Sequence, residues 1–430
     1  MRACLSFVRG FSLFLVLFAV PGIGWGQGQL GTVEGLKKAF SDTNKRRDQL
    51  HSGEATPVKG DANVAEAIAN YYLYRITHVT ERPEKVQEEF SKAVDSAMEK
   101  RAKSNRAYVE GYFAPALAKS MTEVLNRDFK ADRSAVIHAA MMLPALGRLK
   151  ADATNDLLIA LVKNGNDVVR LYALKGLRET MPITPQPLEV VLDFKDAAQN
   201  QKRNRDTLHV DSLARYIQTP IPVSGMRDEE VAAVRYIRRE AIISLARAGS
   251  PAVLARPIKL GKKADPDGPV APALLMVLAG NVKPGPSLQE KVEAVVGLCN
   301  LKYPEMPEYD PSVATFLIGQ TMLEFTAEYS KDLANFGVGG AKKELPYLAW
   351  KTEAKRLKAS LGEYTKTTKT KQATELQAYS EPILEAVGDY KTPNAAKVNE
   401  LRQKVQFSRP ASGAVFRTLK TPEVLPAPAN

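Results

Sequence analysis

Residues 167–180 read DVVRLYALKGLRET. Arg170, Ala173 and Leu177 are offset by three and then four positions, so on an α-helix their side chains share one face that buries its small and large apolar members against a neighbouring helix. Val168, Val169 and Leu174 widen that face. Just upstream, Asn164, Gly165 and Asn166 supply turn chemistry and Asp167 a capping side chain. Before the turn, Leu157, Leu158, Leu161 and Val162 show the same helical spacing. Residues 152–180 therefore predict a helical pair.

The offsets recur at Val136, Ala139 and Leu143, at Arg238, Ala241 and Leu245, and at Lys291, Ala294 and Leu298. Internal repetition of this kind predicts stacked helical pairs, an architecture that more often holds a partner than runs a reaction. Here the chain resembles the HEAT-repeat family. The second helix of that repeat commonly reads Asp, then Val-Arg, then Ala and Leu at the spacing of Asp167, Val169, Arg170, Ala173 and Leu177. Ile237, Arg238, Ala241 and Leu245 follow the same pattern, Lys291 stands in for the arginine before Ala294, and the stretch at Val136 has no basic residue. The resemblance covers about residues 132–301. It implies an all-α, armadillo-type fold, an irregular α-α superhelix in which Asp167 and Arg170 line the inner side and contact neighbouring turns, with Arg238 and Lys291 in matching structural positions.

The repeat starts fall at 136, 170, 238 and 291, so the intervals are unequal. Part of the excess is residues 182–227, where Pro182, Pro185, Pro187, Pro220, Pro222 and Gly225 and the basic run Lys202, Arg203 and Arg205 predict an insertion leaving the stack, with a short helix around Leu192 and Phe194. Residues 27–130 form an N-terminal helical region: one short helix within 32–50, a linker, a helix capped by Asp61 or Asn63 and carrying Val64, Ile68, Tyr71, Tyr72 and Ile76, and others around Phe90 and Leu117. The repeat region spans 131–302. Residues 303–407 form a C-terminal helical region in which Asp310 and Pro311 start a helix, and 408–430 read as a disordered tail.

Residues 1–26 have the marks of a secretory signal. Arg2 and Arg9 bracket a short polar start, residues 11–20 are almost wholly apolar, and Pro21, Gly22, Gly24 and Gly26 follow. The apolar run is shorter than the ~20 residues a membrane-spanning helix needs, so cleavage near Gly26 and a periplasmic or extracellular destination are expected. Cleavage removes Cys4 and leaves Cys299 alone, without an internal disulfide partner. Beside Leu298 and Leu301, Cys299 reads as a small core residue.

The formal net charge is +12. Nine basic residues face three acidic ones in residues 342–371, and Lys342, Lys343, Lys355, Arg356 and Lys358 form a candidate polyanion-binding set. Catalytic motifs are missing from the sequence. His51, His78, His138 and His209 lack metal-ligand spacing, and Gly337, Gly339 and Gly340 before Lys342 fit no phosphate-binding loop. Adjacent carboxylates such as Glu88 with Glu89 and Glu229 with Glu230 do not share a helix face as an acid and base pair would. The expected function is a non-enzymatic scaffold, without metal or cofactor, for a protein or other macromolecule. The alternative is a basic adaptor attached to an anionic envelope polymer or lipid surface, with nucleic acid disfavoured by export, and an enzyme with a dispersed site ranks last.

Overall fold

The computed structural model describes residues 33–78, 82–99, 103–180, 209–247, 270–301, 311–336 and 347–409. Every secondary-structure element among them is helical, so the chain is all-α. Among the described residues, no helix is long and apolar enough to cross a membrane. The expected signal segment, the part of the expected insertion at 182–208 with Leu192 and Phe194, Lys342, Lys343 and tail residues 410–430 lie outside the described residues.

The N-terminal part comprises α1 (Val33–Asp42), α2 (Asn44–Ser52), α3 (Asp61–Thr77), α4 (Pro83–Glu99), α5 (Lys103–Tyr108), a π-helical turn (Val109–Phe113) and α6 (Ala114–Leu125). The single helix expected within 32–50 is two helices broken at Thr43. α3 touches α1, α4, α6 and α7 (Arg133–Ala140), and Val64, Ile68, Tyr72 and Ile76 of its apolar stripe are buried. Tyr71 stacks on Phe40 with ring centroids 4.1 Å apart, so this aromatic stripe is core. Asp61 receives a hydrogen bond from the Val58 backbone N–H and from Arg46, closing the preceding turn onto the helix start.

The first repeat-like stretch is not one helix. α7 ends at Ala140 and α8 (Leu143–Arg148) begins at Leu143. Pro144 in the first turn of α8 has no N–H to donate, which explains the break. α9 (Asp152–Val162) and α10 (Asp167–Thr180) form the expected pair. The cap of α10 differs from expectation: Asn166 Oδ1 accepts from the N–H groups of Val168 (2.9 Å) and Val169 (3.3 Å), while Asn164 Oδ1 closes the turn on the Asn166 N–H. Asp167 is thereby moved into the first turn, where a carboxylate also suits the helix dipole.

The part of the expected insertion that is described is core structure. Residues 209–218 form α11, and Val210, Leu213, Ala214 and Ile217, at helical offsets of three, one and three, are buried in the main core. Pro220, two residues past the last helical position, stands beyond the end of this helix rather than breaking it.

The remaining helices are α12 (Asp228–Ala246), α13 (Val270–Leu278), α14 (Leu288–Cys299), α15 (Pro311–Phe336), α16 (Tyr347–Thr368), α17 (Lys371–Gly388) and α18 (Ala395–Phe407). They pack in succession: α8 on α10, α10 on α12, α12 on α14, and α14 on both α15 and α16. The repeated small and large residues are what these contacts bury. Ala139, Ala173, Ala241 and Ala294, with Leu143, Leu177, Leu245 and Leu298, are all 0 % exposed. α8 and α10 cross at Gly147 and Gly176, where a Cβ on Gly147 would overlap the Gly176 carbonyl. Glycine is required there for close approach.

Candidate functional site

The charged residues of the repeat pattern are joined to neighbouring elements. In α10, Arg170 donates to Asp167 Oδ1 and to the Asn164 carbonyl, both at 2.7 Å, and lies 5.9 Å from the Tyr216 ring of α11. Arg170 thus ties its own helix start to the preceding turn and the following helix, whereas Asp167, among the described residues, forms its ion pair within α10. Arg238 of α12 is fully buried. Its Nε donates to Glu290 Oε1 at 2.6 Å and its Nη2 to the Pro284 carbonyl at 2.8 Å. Lys291 of α14 reaches Glu324 of α15 at 2.7 Å.

Glu290 has two tasks. Its other carboxylate oxygen accepts from the Ser287 N–H at 2.7 Å, and Ser287 Oγ accepts from the Glu290 N–H, a reciprocal cap on α14. Sequence reading missed this cap although serine followed three residues later by glutamate is its signal. The buried cation of α12 is therefore met by a carboxylate whose position is already set by the start of the next helix.

A second row of pairs runs beside the first. Arg178 of α10 donates to Glu240 of α12 at 3.0 Å. Arg239 of α12 and Arg356 of α16 converge on Glu293 of α14 at 2.7 and 2.6 Å, and Arg356 also reaches Glu353 at 2.8 Å. Burial by itself would raise the Glu293 pKa, but hydrogen bonds from Arg356 and Arg239 outweigh it and hold this carboxyl below the usual range. Burial raises Glu353 instead, with the Glu293 charge adding to it against the opposing pull of Arg356.

Two members of the candidate polyanion-binding set take part in such pairs. Arg356 is engaged by Glu293 and Glu353, and Lys358 by Glu381 at 2.9 Å and Glu385 at 2.6 Å. Their positive charge is compensated inside the fold because acidic residues from α14 and α17, distant in sequence, pack against α16. Lys355 is exposed.

Of the other residues singled out from sequence, Cys299 is fully buried and its thiol is pushed far up by burial. His51 is buried against Tyr108 and Phe113, and His78 stacks on Tyr74. Among the described residues, no three His, Cys, Asp or Glu side chains gather as metal ligands.

An open groove of about 460 Å³ lies between α15 and α18. Phe316, Gln320 and Leu323 form one wall, and Arg402, Val405, Gln406 and Arg409 form the other. Its size falls within the roughly 300–1,000 Å³ common for ligand pockets. No local spacing in the sequence brings these two helices together.

No protein-family model, curated protein or solved structure matches this chain. The functional reading therefore rests on the residues themselves. Chemically, the two ladders provide cohesion between helices, and the groove offers apolar contact, two amides and two cations to a ligand.

Proposed function

We propose that the protein is an exported, non-enzymatic helical-repeat scaffold of the HEAT-like kind that holds a protein or other macromolecule. The observation that supports this reading is the series of charged contacts that join α10 to α12, α12 to α14, and α14 to α15 and α16: Arg178 to Glu240, Arg238 to Glu290, Lys291 to Glu324, and Arg239 and Arg356 to Glu293. Charged side chains of the repeat pattern have a mechanical role in it, and recognition falls to the remaining surface. Export is supported by the sequence pattern of residues 1–26. Attachment to an anionic polymer or lipid surface ranks second, since Lys355 keeps an exposed ammonium group while Arg356 and Lys358 are engaged by carboxylates.

Affinity purification of the tagged full chain from its own envelope fraction, with cross-linking and mass spectrometry, tests the scaffold. A partner recovered reproducibly, cross-linked to the described helices, is expected. Recovery of the protein alone would defeat the binding role, and an N-terminal peptide still beginning at Met1 would defeat export with cleavage.

A further inference from the structure

We propose that the groove between α15 and α18 docks an acidic peptide segment of a partner protein, one that carries a large apolar residue between two carboxylates. This rests on the scaffold reading and assigns the partner's chemistry.

The groove is built around Gly319. A Cβ there would stand 2.5 Å from Val405 Cγ2, so the absence of a side chain lets α18 press close to α15. Phe316 and Leu323, one turn to either side of Gly319, flank this contact and give the recess an apolar floor with Val405.

Charge then selects the occupant. Arg402 and Arg409 are both exposed, and among the described residues neither forms an ion pair with a carboxylate; Arg402 donates instead to Asn399 Oδ1 at 2.8 Å. Many cations elsewhere in the fold do have acidic partners, as Arg238, Arg239, Lys291, Arg356 and Lys358 show. The two arginines are seven positions apart, which corresponds to roughly 10 Å along a helix. A segment with acidic side chains at that separation would meet both guanidinium groups in charge-assisted hydrogen bonds. Its intervening leucine or phenylalanine would pack on Leu323 and on the edges of Phe316 and Val405 that remain open, and the Gln320 and Gln406 amides would bond its backbone.

A recess with an apolar floor and paired amides suits a peptide better than a flat anionic bilayer. Residues 410–430 of the chain itself carry Arg417 and Lys420 against Glu423, a poor charge match to two arginines. The chain's own residues 305–310, with Glu305 and Glu308 on either side of Met306, match the same description, and tighter peptide binding by E305Q/E308Q would assign the groove to them and overturn the proposal.

The test is selection from a random-peptide display library on the immobilised full-chain protein, followed by fluorescence anisotropy with the enriched peptides. Enriched sequences are expected to place acidic residues on both sides of a large apolar residue. Their affinity should fall about tenfold or more in the double variant R402E/R409E, and less in R402K/R409K, which keeps the charge but loses the forked geometry. Both arginines are exposed, and circular dichroism and melting of each variant establish that it is folded. No enrichment, enrichment without acidic residues, or binding unchanged in R402E/R409E would overturn the proposal. So would arginine-dependent binding of phosphatidylglycerol vesicles in place of peptides. A cellular partner still retained by R402E/R409E would sink this docking site and leave the scaffold standing, whereas failure of the unaltered protein to retain any partner would sink the scaffold.

Discussion

Two residues illustrate how strongly this fold depends on where a charge is placed. His51, 5 % exposed at the end of α2, lies 5.8 Å from the Tyr108 ring and 5.6 Å from that of Phe113. Burial, with Arg47 adding to it, lowers its pKa from 6.5 to about 4. The unfolded chain therefore binds this proton more readily than the folded protein does. The neutral ring contributes its full stability above about pH 6.5, and that contribution, on the order of 3 kcal/mol, fades as the pH falls to about 4. Denaturation of His51→Leu across this interval should show a much flatter pH dependence than the unaltered protein; equal slopes would rule out His51 as the source. Arg238 is the converse case, a charge kept inside by its partner. Arg238→Ala would leave Glu290 buried and without its cation, and a loss of about 3–5 kcal/mol in urea denaturation is expected. Arg238→Met combined with Glu290→Leu should recover most of that loss, since no uncompensated charge remains, but should still lack the carboxylate half of the α14 cap, worth about 1 kcal/mol. A double variant no more stable than the single one would contradict this account.

At the scale of the element, helix starts and crossings are controlled by small polar residues and glycines. Asn166→Ala removes the acceptor for two N–H groups at the start of α10 and should cost about 1 kcal/mol. Asp167→Ala removes an ion pair whose aspartate is largely exposed together with a weak helix-dipole contact, and should cost about 0.5 kcal/mol. The reverse ranking in denaturation would make Asp167 the cap after all. Gly147→Ala gains helix propensity of about 1 kcal/mol. That gain is outweighed because its Cβ would overlap the carbonyl of Gly176 in the facing helix, where backbone meets backbone. The expected result is a net loss of about 1–3 kcal/mol. Gly165→Ala is the control, with nothing within 4 Å of its Cβ, and its stability should change little. Equal effects at the two positions would mean that α8 and α10 do not depend on their close crossing.

Over the whole molecule, Glu293 joins three helices through Arg239 and Arg356. Glu293→Gln keeps the shape but removes the charge, and should weaken the packing of α16 on α14 by about 1–3 kcal/mol. Hydrogen exchange should then quicken across residues 347–368 and remain unchanged in α3; a uniform change would assign Glu293 to global stability alone. Much of this organisation was legible beforehand where it depended on near neighbours. The offsets of Ala173 and Leu177 gave the buried face of α10, and Asp310 with Pro311 marked the start of α15. The helix at 209–218 was not legible because Val210, Leu213, Ala214 and Ile217 cover barely two turns between a basic run and prolines that by themselves favour a loop. The engagement of Arg356 by Glu293 could not be read at all, since 63 positions separate the two residues. By itself the sequence determined the all-α class and the faces that would be buried, because helical periodicity is set by offsets of three and four. Only the tertiary structure decided which cations are compensated, where Gly147 and Gly319 permit close approach, and that Arg402 and Arg409 border a groove. Those outcomes depend on which helix is packed against which, and no local spacing specifies that.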